Sequence, residues 1–143
     1  MTERESTGPS VFTRILRGEV PGEIVLQTDD VFVLKDIAPK APLHLLIVPK
    51  TDEYRDVTEL ADGDPKLLAH MVEVATVAAA QAGYEDFRLV FNRGLAAGQT
   101  VFHVHAHVLA GGAQREQGLA GGLDEASMTA GMEQREAGAG RDT

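Results

Sequence analysis

The chain has 143 residues, no cysteine, no tryptophan and a formal net charge of −9. That length suits one domain with an apolar core plus tails, and the missing thiols exclude disulfides, thiolate metal sites and cysteine nucleophiles. The acidic balance argues against non-specific binding to nucleic acid, which takes a basic surface, but leaves room for a single nucleotide in a local pocket. No apolar run approaches the roughly 18 residues of a membrane span, and "MTERESTGPS" has no basic segment leading into an apolar one, so the expected location is cytoplasmic.

Residues 1–9 read as a flexible start. "SVFTRILRG" sets Val11, Phe12, Ile15 and Leu16 at helical spacing, with Ser10 as N-cap and Gly18 as stop. Two β-rich runs around Thr28, Asp29 and Asp30 predict a hairpin, and "LHLLIVP" predicts a third strand after the breaker "APKAP". "DVTEL" suits a short helical turn. The clearest helix follows, with Asp64 as N-cap, Pro65 in the first turn, a stripe of Leu67, Met71, Val74, Ala75, Ala78 and Ala82, and Gly83 as stop. "DFRLVFN" predicts a fourth strand and "VFHVHAHVL" a fifth. This order is α+β with a mainly antiparallel sheet, since no regular βαβ alternation appears. From Gly111 onward there are eight glycines in 33 residues and no aromatics, so the domain spans 10–112 and a Gly-rich acidic tail fills 113–143, with "LDEASMTAGMEQREA" as a marginal helix.

The chemistry concentrates in "VFHVHAHVL". Side chains alternate faces along a strand, so His103, His105 and His107 share one face and Phe102, Val104, Ala106 and Val108 the other. The outer imidazoles of a straight strand are about 13 Å apart, too far to share one ion. With only His44 and His70 elsewhere, no metal site is predicted. A neutral imidazole is instead a competent nucleophile near pH 7, one nitrogen attacking while the other donates a hydrogen bond that fixes the tautomer. Such chemistry on phosphorus needs a cradle, and "RGLAAGQT" precedes the histidines: Gly94 and Gly98 allow close backbone approach, while Gln99 and Thr100 add side-chain donors. His70 reads as a helix-surface histidine.

These residues resemble the histidine triad superfamily, whose signature is His-x-His-x-His, and within it the Hint-like purine nucleoside phosphoramidase branch. The likeness runs through "VFTRILRGEVPGEIV", "VFVLKDIAPKAPLHLLIVPK" and "FRLVFNRGLAAGQTVFHVHAHVLAGG", roughly residues 11 to 112. It implies a five-stranded antiparallel sheet with one long and one short helix, extended by homodimerisation. It also implies that His105 is the nucleophile that becomes nucleotidylated, that His103 orients it chiefly through its carbonyl, that His107 contacts the phosphate or leaving group, and that His44 stands beside the triad. Asn92, Gly98, Gln99 and Thr100 match phosphate-holding positions, Asp36 a ribose-binding one, and Phe12, Ile15, Leu34, Ile37 and Leu46 a purine pocket. Asp36 has a plain structural use too, ending a strand before a turn, and the five apolar residues would suit any core. No cofactor is required; zinc is possible but not predicted, since Asp52 in "PKTDEY" stands where many relatives carry a histidine. The chain also lacks the aromatic tail of some relatives.

The implied reaction is hydrolysis of purine nucleoside 5'-monophosphate phosphoramidates through a nucleotidyl-histidine. The alternatives are a dinucleoside polyphosphate hydrolase of the fragile-histidine-triad kind and a non-catalytic nucleotide- or zinc-binding module.

Overall fold

The computed structural model describes residues 8–112, so the expected flexible start and the glycine-rich tail with its marginal helix fall almost wholly outside the described residues. In chain order the elements are α1 (Val11–Leu16), β1 (Ile24–Gln27), β2 (Val31–Lys35), β3 (Leu43–Pro49), α2 (Val57–Gly63), α3 (Pro65–Gln81), β4 (Arg88–Val90), a 3-10 turn (Leu95–Ala97) and β5 (Ala106–Ala110). The five strands form one antiparallel sheet in the order β1-β2-β3-β5-β4. This is the α+β architecture that the sequence predicts. Among the described residues, no helix is long and apolar enough to cross a membrane.

Local chemistry explains the helix boundaries. Ser10 caps α1 by accepting a hydrogen bond from the Thr13 amide, and Gly18, at φ 80°, follows the end of the helix. Asp56 caps α2 and Asp64 caps α3, where Pro65 occupies the first turn without wasting a donor. The buried face of α3 is Leu67, Met71, Val74, Ala75, Ala78 and Ala79. Ala82 is exposed because the helix has ended at Gln81.

The sheet is covered on both faces. Leu43, Leu45 and Ile47 of β3 pack with Val104, Ala106 and Val108 beneath α3, whereas Leu46 and Val48 point to the opposite side, under Val11, Phe12 and Ile15 of α1. Every residue of β3 is therefore buried, which is why its sequence is a continuous apolar run interrupted by His44 alone.

The fifth strand is shorter than its sequence pattern suggests. It begins at Ala106, because the backbone just before it is committed elsewhere: the Val104 amide donates to the Tyr54 carbonyl and the His103 carbonyl accepts from a side chain. Its neighbour β4 also stops at Val90, opposite His107. Alternation nonetheless persists through the irregular stretch, with Val104 in the α3-side core and His103 and His105 against Phe12 on the other side.

Candidate active site

Strand register brings His44 to the triad. His44 pairs with Leu109 and Leu46 with His107, so His44 and His107 are diagonal neighbours on one face. Their rings lie 5.3 Å apart, with His44 Nε2 3.1 Å from His107 Nδ1. His105 stacks edge-on against both His107, at 5.3 Å, and Phe12, at 4.8 Å. All four histidines are buried.

The hydrogen bonds assign each imidazole a tautomer, since a carbonyl can only accept and a backbone amide can only donate. His105 Nδ1 donates to the His103 carbonyl at 2.8 Å, which places the His105 lone pair on Nε2. His103 Nε2 donates to the Pro49 carbonyl at 2.8 Å, leaving Nδ1 to accept from the Ser10 hydroxyl at 2.5 Å. The Lys40 amide donates to His44 Nδ1 at 3.0 Å, so the His44 proton sits on Nε2 and is given to His107 Nδ1. His107 consequently carries its own proton on Nε2. One histidine thus holds a reactive lone pair, and its neighbour a fixed N–H.

Asp36 ends the β2 side of the site with its side chain wholly buried. Its Oδ1 accepts from the Ala38 amide at 2.8 Å, and its Oδ2 lies 3.4 Å from His44 Nε2 with no hydrogen bond among the described residues. Burial raises its pKa from 3.8 to about 6, against the lowering pull of the Ala38 bond and of nearby His105 and Lys40. Burial lowers the His44 pKa to about 3, helped by His107 and Lys40, so His44 is neutral at physiological pH and its contact with Asp36 is not an ion pair. The aspartate serves its structural turn and still presents an oxygen to the site.

The glycine loop enters from β4. Gly94 and Gly98 adopt φ 93° and 97°, which only glycine takes readily, and the 3-10 turn lies between them. Gln99 is a correction to its expected side-chain role. It is buried, its Oε1 accepts from the Gly94 amide, and its Nε2 donates to the carbonyls of Arg55 and Val101, so both amide hydrogens are spent inside the protein. Gln99 shapes the loop from within. Thr100 is exposed on that loop and Asn92 is half-buried two residues beyond β4. Phe12, Ile15, Leu34 and Leu46 form one fully buried cluster, with half-buried Ile37 packed against it. His70 is half-buried on α3 and bonded to Thr28 on the hairpin, away from the triad. Ser10 is the site residue whose reach the sequence did not reveal: its capping role was legible, but its bond across 93 positions to His103 was not.

The family model described as "Scavenger mRNA decapping enzyme C-term binding" matches residues 9–118. An uncharacterized HIT-like protein of Synechocystis is 41% identical over 106 residues, covering 71% of this chain and 90% of that protein. The chain belongs to the histidine triad superfamily. The 14 kDa zinc-binding protein of Zea mays is 37% identical over 112 residues, covering 76% of this chain and 86% of that one. Among solved structures, a HIT family hydrolase from Clostridium thermocellum superposes with a TM-score of 0.71 at 36% identity, over 76% of this chain and 95% of its own.

The zinc-binding relative raises the question of whether this histidine triad site fits a metal. Among the described residues, Asp36, His44 and His107 have donor atoms within 4.8 Å of one another. The spacings of 3.1 and 3.4 Å from His44 Nε2 approach the edge of a tetrahedron with bonds of about 2 Å. The protonation does not fit. The Lys40 amide requires the lone pair of His44 at Nδ1, so Nε2, the atom facing the would-be ion, bears a hydrogen. As arranged, His44 Nε2 gives its hydrogen to His107 Nδ1 and does not offer a lone pair to an ion beside Asp36.

Proposed function

We propose that the chain is a nucleotide hydrolase that cleaves purine nucleoside 5'-monophosphate phosphoramidates without a metal. The observation that carries this reading is the His105 Nδ1–H bond to the His103 carbonyl, which aims a lone pair at Nε2 from a buried imidazole. His105 Nε2 forms a bond to the α-phosphorus as the P–N bond breaks, and the amine takes up a proton from solvent as it leaves. Water then attacks the same phosphorus, breaking the histidine–phosphorus bond, releasing the nucleoside monophosphate and returning His105 to its neutral form. His107 has its proton on Nε2, and its Nδ1 accepts from a neutral His44 that is itself a poor proton source. It therefore acts as a fixed hydrogen-bond donor to a phosphate oxygen and not as the source of the leaving-group proton.

The loop amides around Gly98, together with Thr100 and Asn92, complete the phosphate cradle. Asp36 Oδ2 receives a ribose hydroxyl, and Ile37, on the cluster of Phe12, Ile15, Leu34 and Leu46, bounds the base. The proposal includes domain limits of 10–112, a cytoplasmic location and a second copy of the chain. The three-residue edge strand β4, with half-buried Phe87, Leu89 and Phe91, supports the sheet edge as the place where that copy adds.

The test is to incubate the protein with an adenosine phosphoramidate, quench in base, and weigh the intact chain. A gain of one nucleotidyl group, mapped to His105 and absent in His105→Asn, is expected, with turnover unchanged by a chelator. Turnover equal to wild type in His105→Asn would sink the nucleophile assignment. Faster cleavage of a diadenosine polyphosphate would shift the reading to the fragile-histidine-triad activity, and zinc binding without hydrolysis would favour the binding module.

A further inference from the structure

Helix α1 reaches His103 through the hydroxyl of its N-cap residue, Ser10. Ser10 is the N-cap of α1, where its Oγ accepts from the Thr13 amide at 3.1 Å, and the same hydroxyl donates to His103 Nδ1 at 2.5 Å. The far side of the His103 ring is held by the Pro49 carbonyl at the end of β3. The imidazole of His103 is therefore clamped between α1 and β3, wholly buried and with Phe12 packed edge-on at 5.7 Å. What this clamp fixes is the residue whose carbonyl holds the His105 Nδ1 proton.

We propose that Ser10 is a positioning residue for catalysis: by donating to His103 Nδ1 it locks the His103 tautomer and main chain, and through the His103 carbonyl it holds His105 in the tautomer that presents a lone pair at Nε2. This rests on the reading of His105 as the nucleophile. Ser10 also stands two residues from Phe12, which touches both His103 and His105. The helix proposed to floor the base pocket and the nucleophile thus share one rigid support. Without the hydroxyl, His103 Nδ1 loses the donor that fixes its tautomer, and either ring tautomer or a flipped ring becomes accessible.

Three variants separate capping from positioning. Ser10→Thr keeps both the cap and the donor. Ser10→Asp keeps the cap but has no hydrogen to give at neutral pH, which forces a proton onto His103 Nδ1. Ser10→Ala loses both. The readouts are the melting temperature, the ring 15N shifts of the histidines, and kcat and KM on an adenosine phosphoramidate across pH. We expect Thr to match wild type in all three. Asp should keep the melting temperature, yet move the His103 and His105 ring shifts and lower kcat on the order of tenfold with KM nearly unchanged. Ala should show the kcat loss together with a lower melting temperature. Wild-type kcat and ring shifts in Ser10→Asp would overturn the proposal, as would a Ser10→Thr protein as impaired as Ala. If the wild type proves inactive on every substrate, the phosphoramidase reading fails while the ring shifts still report whether Ser10 sets the two tautomers.

Discussion

Asp36→Asn should make this protein more stable at pH 8 and leave it no more stable at pH 4. The aspartate side chain is fully buried, with one oxygen satisfied by the Ala38 amide and the other facing His44 without a hydrogen bond. Burial raises its pKa from 3.8 to about 6. Because the folded state holds this proton more tightly than the unfolded chain, folding bears no penalty below the unfolded value, and stability is lost as pH rises through the folded one. A shift of roughly two units corresponds to about 3 kcal/mol of lost stability above pH 6. Asparagine keeps an oxygen for the Ala38 amide and removes the charge. Its amide hydrogens then oppose the His44 Nε2–H, which takes back about 1 kcal/mol. The net gain at pH 8 is about 2 kcal/mol, or on the order of 10 °C in Tm for a domain this size. With no tryptophan to report on unfolding, urea titrations are followed by far-ultraviolet circular dichroism at pH 8, 6 and 4. His44, neutral down to about pH 3, weakens both proteins alike in acid, so the quantity to read is their difference at each pH. A difference that does not vary with pH, or an asparagine variant less stable at pH 8, would refute the reasoning. The same variant should bind a nucleoside monophosphate more weakly, the usual relation when a destabilising charge is kept for function.

Two further substitutions test the site. His107→Ala should lower kcat by about 10- to 100-fold, to a similar extent for amine and phenolate leaving groups, because a donor to a phosphate oxygen serves both; a loss confined to the amine would make His107 the proton source and break the tautomer assignment. Gln99→Ala removes three hydrogen bonds inside the glycine loop, leaving the Gly94 amide and the Arg55 and Val101 carbonyls to find other partners. It should lower stability by about 2 to 3 kcal/mol in urea and raise KM several-fold; an unchanged KM would detach the loop from substrate binding.

Elements whose causes are local were legible in the sequence. Asp64 and Pro65 announce α3, Ser10 announces α1, and the apolar run of β3 shows its limits because Pro49 closes it. The start of β5 was not legible, since period-two spacing continues through residues 101–105 while their backbone bonds go to Tyr54 and to the ring of His105. The triad itself stood in plain view. What each histidine can do depends on Pro49, Ser10, His44 and Lys40, partners set by register and loop closure and not by neighbouring letters. Gln99 shows the opposite error: its type suits a phosphate donor, but its location inside the loop spends both hydrogens.

The bond from Lys40 to His44 comes from the main chain. As far as the imidazole is concerned, position 40 can drift through nineteen amino acids without altering which nitrogen carries the proton, because each of them brings the same N–H. Proline is the exception, and in a segment already written "APKAP" it is a single substitution away from joining Pro39 and Pro42. A proline there would free His44 to turn its lone pair toward Asp36 and His107. One main-chain hydrogen therefore separates a hydrogen-bonded chain of neutral histidines from a set of donors open to a metal ion.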